Sequence, residues 1–301
     1  MGSILERLPW GAPVVVIRLR SLGDCVLTTP ALRILKGCRP DLEIGIVVEP
    51  RFAAIFDGNT DIAQVLPPLP GAVSRWRAAL CLNLHGGPRS IALSLASRAP
   101  HRAAFAHFRG QFAYNVHIPA AQQILKVERK VHTAEHLAAA IFHLGAAPRE
   151  IPRARLFAPP ATRSRPHAVI HPFASSPEKT WPAERFVQVA DDLRRNGLEP
   201  LFLCGPDEDP APFAQFEVLR NAPLPKVMSV IRSAALFLGN DSGPAHIAAA
   251  FGLPVIVLFA ASDPDVWGPW RTQGEILKAG SIDAIPAKAV LAAIERARVR
   301  V

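Results

Sequence analysis

Short oily runs recur along this chain, each bounded by Gly, Pro or charged residues, with longer amphipathic or alanine-rich stretches between them. "PVVVIRL" (13–19), "EIGIVVE" (43–49) and "ALCLNLH" (79–85) have the length and composition of buried strands. "CVLTTPALRILKG" (25–37), "RSIALSLASR" (89–98) and "TAEHLAAAIFHLGA" (133–146) read as helices. Pro30 starts or kinks the first, and Gly145 lies near the stop of the last. The pattern lapses at "FAPPATRSRP" (157–166), which has three prolines, small polar residues and no period, and reads as a linker. It then restarts. "HAVIH" (167–171), "EPLFLC" (199–204), "ALFLG" (235–239) and "PVIVLF" (254–259) are strands in this reading. "PAERFVQVADDLRRNG" (182–197), "PKVMSVIRSA" (225–234), "GPAHIAAAFG" (243–252) and "PAKAVLAAIERARVRV" (286–301) are helices.

Buried strands alternating with helices imply parallel sheets covered on both faces. Two such runs split by a proline linker predict an α/β protein of two Rossmann-like domains facing each other, residues 1–160 and 161–301. Ligands of such sheets bind at the carboxyl ends of the strands, next to helix starts.

At 301 residues, half of them hydrophobic, the chain can bury two cores. The opening "MGSILERLPWGAPVVVIRL" lacks a signal-peptide pattern. The longest oily run, Ala248–Ala261, is broken by Gly252 and Pro254 and falls short of the roughly 20 residues that span a bilayer. The four cysteines (25, 38, 81 and 204) form no CxxC, so a cytoplasmic protein with reduced thiols is expected. The charge is lopsided. Residues 1–155 carry 19 Lys+Arg against 10 Asp+Glu, a net +9, whereas residues 156–301 carry 15 against 15. Solubility is one reading of that surplus, and an anionic partner for the first half is the sharper one.

The candidate chemistry sits just after strands. In "GNDSGPAH" (239–246) a capped helix start explains one or two residues, but not Asp241, Ser242, Gly243 and His246 together. Small residues at a helix N-terminus let a phosphate reach free N–H groups along a favourable dipole. Asp241 would repel phosphate, so it suits a sugar hydroxyl or a cap. In "HPFASSPEKTWPAERF" (171–186), Lys179 is one of only 7 lysines in the chain, with Ser175 and Ser176 upstream. A solvated lysine is the plain alternative to a phosphate partner. In "RLRSLGDCVLTTPALRIL" (18–35), Gly23 permits a close turn, and Asp24 is either a helix cap or a general base. "LHGGPRS" (84–90) adds His85, two glycines and Arg89. Residues 101–132, Arg129 and Lys130 among them, are basic and His-rich, without the interleaved aromatics of a nucleic-acid platform or the spacing of a zinc site. Neither G-x-G-x-x-G nor a Walker A motif is present, which argues against an NAD enzyme.

These segments, in this order and joined by "FLCGPDED" (202–209), resemble glycosyltransferase family 9, the ADP-heptose:lipopolysaccharide heptosyltransferases. The resemblance runs nearly end to end. It implies a GT-B fold, with the acceptor on the amino half and a nucleotide sugar, by family default ADP-heptose, on the carboxyl half. It makes Asp24 the base that takes the acceptor proton. It makes Lys179 a phosphate partner and the "DSGPAH" segment, with Asp241, Ser242, Gly243 and His246, the diphosphate and sugar site. Ser175 and Ser176 beside Lys179 join that donor site, while the polar turns and basic surplus of the first half nominate Gly23, His85, Arg89, Arg129 and Lys130 for the acceptor side. The implied transfer is inverting and needs neither cofactor nor metal. The implied acceptor is an anionic glycolipid at the inner membrane surface. Where many members read Asp in "DLHG", this chain has Asn83. A nucleotide-sugar epimerase or hydrolase of GT-B architecture, or a non-catalytic nucleotide-sugar-binding protein, are the alternatives.

Overall fold

The computed structural model describes residues 2–299. The chain divides between Phe157 and Ala158 into two units.

The amino-terminal unit holds β1 (Pro13–Ile17), β2 (Glu43–Val47), β3 (Gln64–Leu66), β4 (Leu80–Asn83), β5 (His101–Phe105) and β6 (Val116–Ile118). Its helices are α1 (Ile4–Arg7), α2 (Leu22–Cys38), α3 (Pro70–Arg75), α4 (Pro88–Ala96), α5 (Ala121–Leu125) and α6 (Thr133–Leu144). Every pairing is parallel, in the order β3-β2-β1-β4-β5-β6. Strand β1 is buried from Val14 to Ile17 and β4 is buried throughout, as expected of central strands covered on both faces. Val15, Ile17, Val47, Cys81 and Leu93 pack together in its core.

The carboxy-terminal unit repeats the plan. Its strands are β7 (His167–His171), β8 (Glu199–Cys204), β9 (Glu217–Arg220), β10 (Leu236–Asn240), β11 (Val255–Phe259) and β12 (Gly274–Lys278). Its helices are α7 (Ala183–Arg195), α8 (Leu224–Arg232), α9 (Gly243–Phe251), α10 (Pro264–Trp267) and α11 (Ala287–Val299). The sheet order is β12-β11-β10-β7-β8-β9, again all parallel. Its core is more aromatic. Phe202 stacks on Phe213 at 4.4 Å, and Trp181 meets Phe186 edge-on at 4.9 Å.

Numbered within its own unit, each sheet has the order 3-2-1-4-5-6, the doubly wound Rossmann order. That order places the topological switch point between the first and fourth strands, where the chain leaves in opposite directions and a crevice opens at the carboxyl edge. The pairs concerned are β1/β4 and β7/β10.

Five strands carry no clear oily run in the sequence: β3, β5, β6, β9 and β12. Four of these are sheet edges, short and only partly buried. All four cysteines are free thiols. Among the described residues, no helix is long and apolar enough to cross a membrane.

Candidate functional site

In the carboxy-terminal unit the loops after β7 and β10 meet at the switch point. A short 3-10 turn, Pro177–Lys179, ends the first loop and points Lys179 back at the second. Lys179 Nζ lies 3.3 Å from Asp241 Oδ2, joining two side chains that are 62 positions apart. The same carboxylate oxygen accepts the hydroxyl of Ser262, from the loop after β11, at 2.5 Å. Asn240, the fully buried last residue of β10, stitches the loops together. Its Oδ1 accepts the Trp181 N–H at 3.2 Å, and its Nδ2 donates to the Pro172 carbonyl at 2.8 Å. Trp181 is itself pinned, donating its ring N–H to the Ile285 carbonyl at 2.9 Å. Both ends of the Lys179 loop are therefore fixed by buried hydrogen bonds.

Ser242 is the N-cap residue of α9, yet its side chain makes no cap hydrogen bond. It turns to His171, the last residue of β7, whose Nδ1 lies 2.9 Å from Ser242 Oγ. The other ring nitrogen lies 3.9 Å from Glu208 Oε1, in the loop after β8. Burial pushes His171 down to about 4 and pushes the Glu208 carboxyl up. Glu208 is oriented by the Gly205 N–H, which donates to its Oε2 at 2.6 Å. Gly243 and Pro244 form the first turn of α9, and His246 is buried one turn on. Ser176 closes the lysine turn through its carbonyl, which accepts the Lys179 N–H at 3.1 Å and the Thr180 hydroxyl at 2.9 Å. Ser175 is exposed beside it.

In the amino-terminal unit the loops after β1 and β4 meet in the same way. Asp24 sits in the first turn of α2, three residues after the N-cap residue Ser21. Its Oδ2 accepts the backbone N–H and the hydroxyl of Ser21, both at 3.1 Å. Its Oδ1 pairs with Arg18, which is nearly buried and also donates to the Leu84 carbonyl. Asp24 thus lies inside the first turn and caps it from there, as the third helical residue of a capping box with Ser21 rather than as the N-cap residue itself. Gly23 likewise lies inside that turn, because the helix already begins at Leu22; the chain reverses earlier, between Arg18 and Ser21. Gly23 leaves the turn bare of a side chain next to the carboxylate.

Asn83 performs for β4 what Asn240 performs for β10. It is fully buried, and its Oδ1 accepts the N–H groups of His85 (2.9 Å) and Gly86 (3.1 Å). Its Nδ2 donates to Tyr114 Oη at 2.8 Å and Ser94 Oγ at 3.1 Å. Gly86 has φ +78°, and a Cβ there would lie 2.9 Å from the Phe108 ring, so only glycine fits. Burial, then the charges of Arg18 and Arg20, push His85 below its ordinary value. His136 of α6 stacks on Phe105 at 3.9 Å. It is pushed down to about 4 by burial, then by His107 and Arg18.

Other predicted acceptor residues are engaged in structural contacts. Arg129 grips Glu135 through both oxygens, at 2.6 and 2.8 Å, and Glu135 in turn accepts the His132 N–H at the start of α6. Arg89 donates to the Pro68 carbonyl at 3.3 Å and lies 3.8 Å from Glu49. Lys130 is exposed just ahead of α6.

A profile of glycosyltransferase family 9 (heptosyltransferase) matches residues 72–289, so it spans both units. The chain belongs to that family. Among curated relatives, lipopolysaccharide heptosyltransferase 3 of Escherichia coli K12 is 33% identical over 134 residues, 40% of this chain and 39% of the relative. That match therefore takes in about two-fifths of the relative's length. Lipopolysaccharide heptosyltransferase 1 of Escherichia coli O18:K1:H7 is 24% identical across 94% of this chain and 97% of its own. Two solved structures share the fold. The family 9 glycosyl transferase from Veillonella parvula has a TM-score of 0.86 at 20% identity, covering 96% of this chain and 98% of its own. E. coli ADP-heptose lps heptosyltransferase II has a TM-score of 0.81 at 18% identity, covering 96% and 99%. The architecture is the α/β GT-B fold of this family, with one parallel six-stranded sheet in each unit.

Five residues at these switch points escape a reading of the sequence: Arg18, His171, Glu208, Asn240 and Ser262. Asn240 and His171 stand inside quoted motifs, but as strand-end residues they carry no local signal. Glu208 and Ser262 reach their partners only through the order of the strands.

Proposed function

We propose that this chain is an inverting glycosyltransferase that moves a heptose, or a related sugar, from an ADP-sugar to an anionic lipopolysaccharide-core acceptor. The observation that carries the reading is the Lys179–Asp241–Ser262 cluster beside the start of α9, at the switch point of a Rossmann sheet. A cation and an open helix N-terminus suit a departing diphosphate, and a carboxylate beside them suits the hydroxyls of the attached sugar. In this reading Lys179, Ser175, Ser176, Ser242 and Gly243 meet the diphosphate. Asp241 and His246 lie on its sugar side. Charge building up on the leaving diphosphate is stabilised by Lys179 and the α9 dipole, and no cofactor is required.

Asp24 takes the proton from the acceptor hydroxyl as that oxygen attacks the anomeric carbon. Its ion pair with Arg18 and its hydrogen bonds from Ser21 fix the carboxylate in place. Gly23 and His85 border it, and Arg89, Arg129 and Lys130 supply positive charge on the acceptor side. The acceptor is a glycolipid, so the enzyme works at the membrane surface from the cytoplasmic side.

The test is acceptor-dependent release of ADP from ADP-heptose. In Asp24→Asn the rate should fall by about 10²–10⁴-fold while ADP binding survives. The substitution also leaves the nearly buried Arg18 facing a neutral amide, so a lower melting temperature should accompany the loss. ADP titration of the folded variant separates the two effects. Near-normal turnover removes Asp24 from the chemistry. ADP released equally with and without acceptor points instead to a hydrolase, and ADP-heptose converted without acceptor and without net ADP release points to an epimerase.

A further inference from the structure

We propose that His171 is the positioning residue of the α9 anion site: it turns the Ser242 hydroxyl off the helix end, so that the end stays open for a phosphate and the hydroxyl is itself held ready to meet it. The inference rests on the donor-site reading above and names a residue outside the set assigned to it.

A serine at an N-cap position ordinarily turns its hydroxyl onto the N–H groups of the first turn. Ser242 has the extended backbone of a cap residue, φ −157° and ψ 165°, yet makes no such bond. Its Oγ is held instead by His171 Nδ1 at 2.9 Å. His171 is well placed to hold it. It ends β7, the strand paired directly with β10, and lies opposite Gly239 in the register. A Cβ on Gly239 would come within 2.8 Å of the His171 carbonyl, so the two strand ends are in close contact there. Phe173 packs edge-on against the imidazole at 6.0 Å. Glu208 lies 3.9 Å from Nε2, on the side away from Ser242. The ring is thus held by its strand and an aromatic neighbour, with Glu208 near one nitrogen and the serine on the other.

Without the imidazole, the Ser242 hydroxyl would rotate onto the start of α9 and compete there with any anion. Removing the histidine therefore acts through the serine. A residue that merely filled space would weaken binding regardless of what stands at 242.

The experiment is a double-mutant cycle on the full chain, with ADP as the probe and calorimetric titration as the readout. Ser242→Ala should weaken ADP binding by roughly threefold to tenfold, the span of one hydrogen bond. His171→Ala should weaken it by a similar factor. The double variant should bind no more weakly than Ser242→Ala alone, because the serine through which His171 acts is gone. His171→Asn, which places an amide near the Nδ1 position, should recover most of the affinity. It also serves where the alanine variant folds poorly. Effects that multiply in the double variant, or a His171→Ala variant that binds ADP like the parent, overturn the positioning role while leaving the donor site standing. ADP affinity unchanged in Ser242→Ala removes Ser242 from the donor site, and the positioning role falls with it.

Discussion

Two half-buried imidazoles make the strongest statement any single side chain here makes about solution behaviour. His171 and His136 are both pushed down to about 4, chiefly by burial. An unfolded histidine titrates near 6.5. Between those values the unfolded chain binds a proton that the folded chain refuses, so stability rises with pH across that window. It is fully present above about 6.5 and drains away as pH falls towards about 4. Carboxylates held low by arginine, such as Asp41 by Arg39 and Glu135 by Arg129, lose their contribution only at lower pH. The upper window also takes in His85, His143 and His167, which burial pushes down as well, and is opposed by Glu208, which burial pushes up. The melting temperature should fall steadily from about pH 7 to about pH 5. His136→Asn and His171→Asn should each flatten the fall, one in each unit. A melting temperature constant over that range would contradict the burial of both rings. The residues that can be recognised by type alone, Lys179 and Asp24, are legible in the sequence because a charge at a strand-to-helix turn stands out. His171 does not stand out, since its meaning comes from the serine 71 positions away.

Helix α2 shows how an element accommodates a residue that should break it. Pro30 lies within it and has no N–H to offer the Val26 carbonyl four residues back. Thr29 supplies the missing donor, its hydroxyl bonding to Val26 O at 2.9 Å. The Thr29 hydroxyl oxygen in turn accepts the Arg155 N–H at 3.0 Å, tying the helix to the segment that closes the amino-terminal unit. Thr29→Val keeps the shape and removes both bonds, leaving a carbonyl and an N–H without partners. The amino-terminal unit should lose about 1–3 kcal/mol, read from urea denaturation, with little change in ADP affinity. The oily period makes α2 and the central strands visible in the sequence. It does not show that the helix runs unbroken through Pro30, because that depends on one hydroxyl. The edge strands are hidden for a different reason. An edge strand such as β12 alternates exposed and half-buried residues, so it lacks the continuous run that marks β1 or β10.

The division of charge follows the division of the chain. Residues 1–157 hold 19 basic and 10 acidic side chains, and residues 158–301 hold 15 of each. A diphosphate bound at Lys179 as proposed would draw on the neutral unit, so the surplus of +9 must serve something else or nothing. The structure narrows which charges are available. Arg129 is held by Glu135, Arg102 donates to the Ala99 and Ala113 carbonyls at 2.8 Å, and Arg18 is paired with Asp24. Arg109, between β5 and β6, and Lys126, the C-cap of α5, are exposed. Attraction between exposed charges and an anionic acceptor is screened over about 8–10 Å at physiological salt. The acceptor KM should therefore climb steeply with salt, while the donor KM, set by partly buried groups around Asp241, should change less. Reversing Arg109 and Lys126 together to Glu should raise the acceptor KM and flatten its salt dependence, with ADP affinity and melting temperature preserved. Acceptor kinetics indifferent both to salt and to the reversal would reduce the +9 to a device for solubility, and would leave recognition of the acceptor to the polar turns around His85 and Asp24.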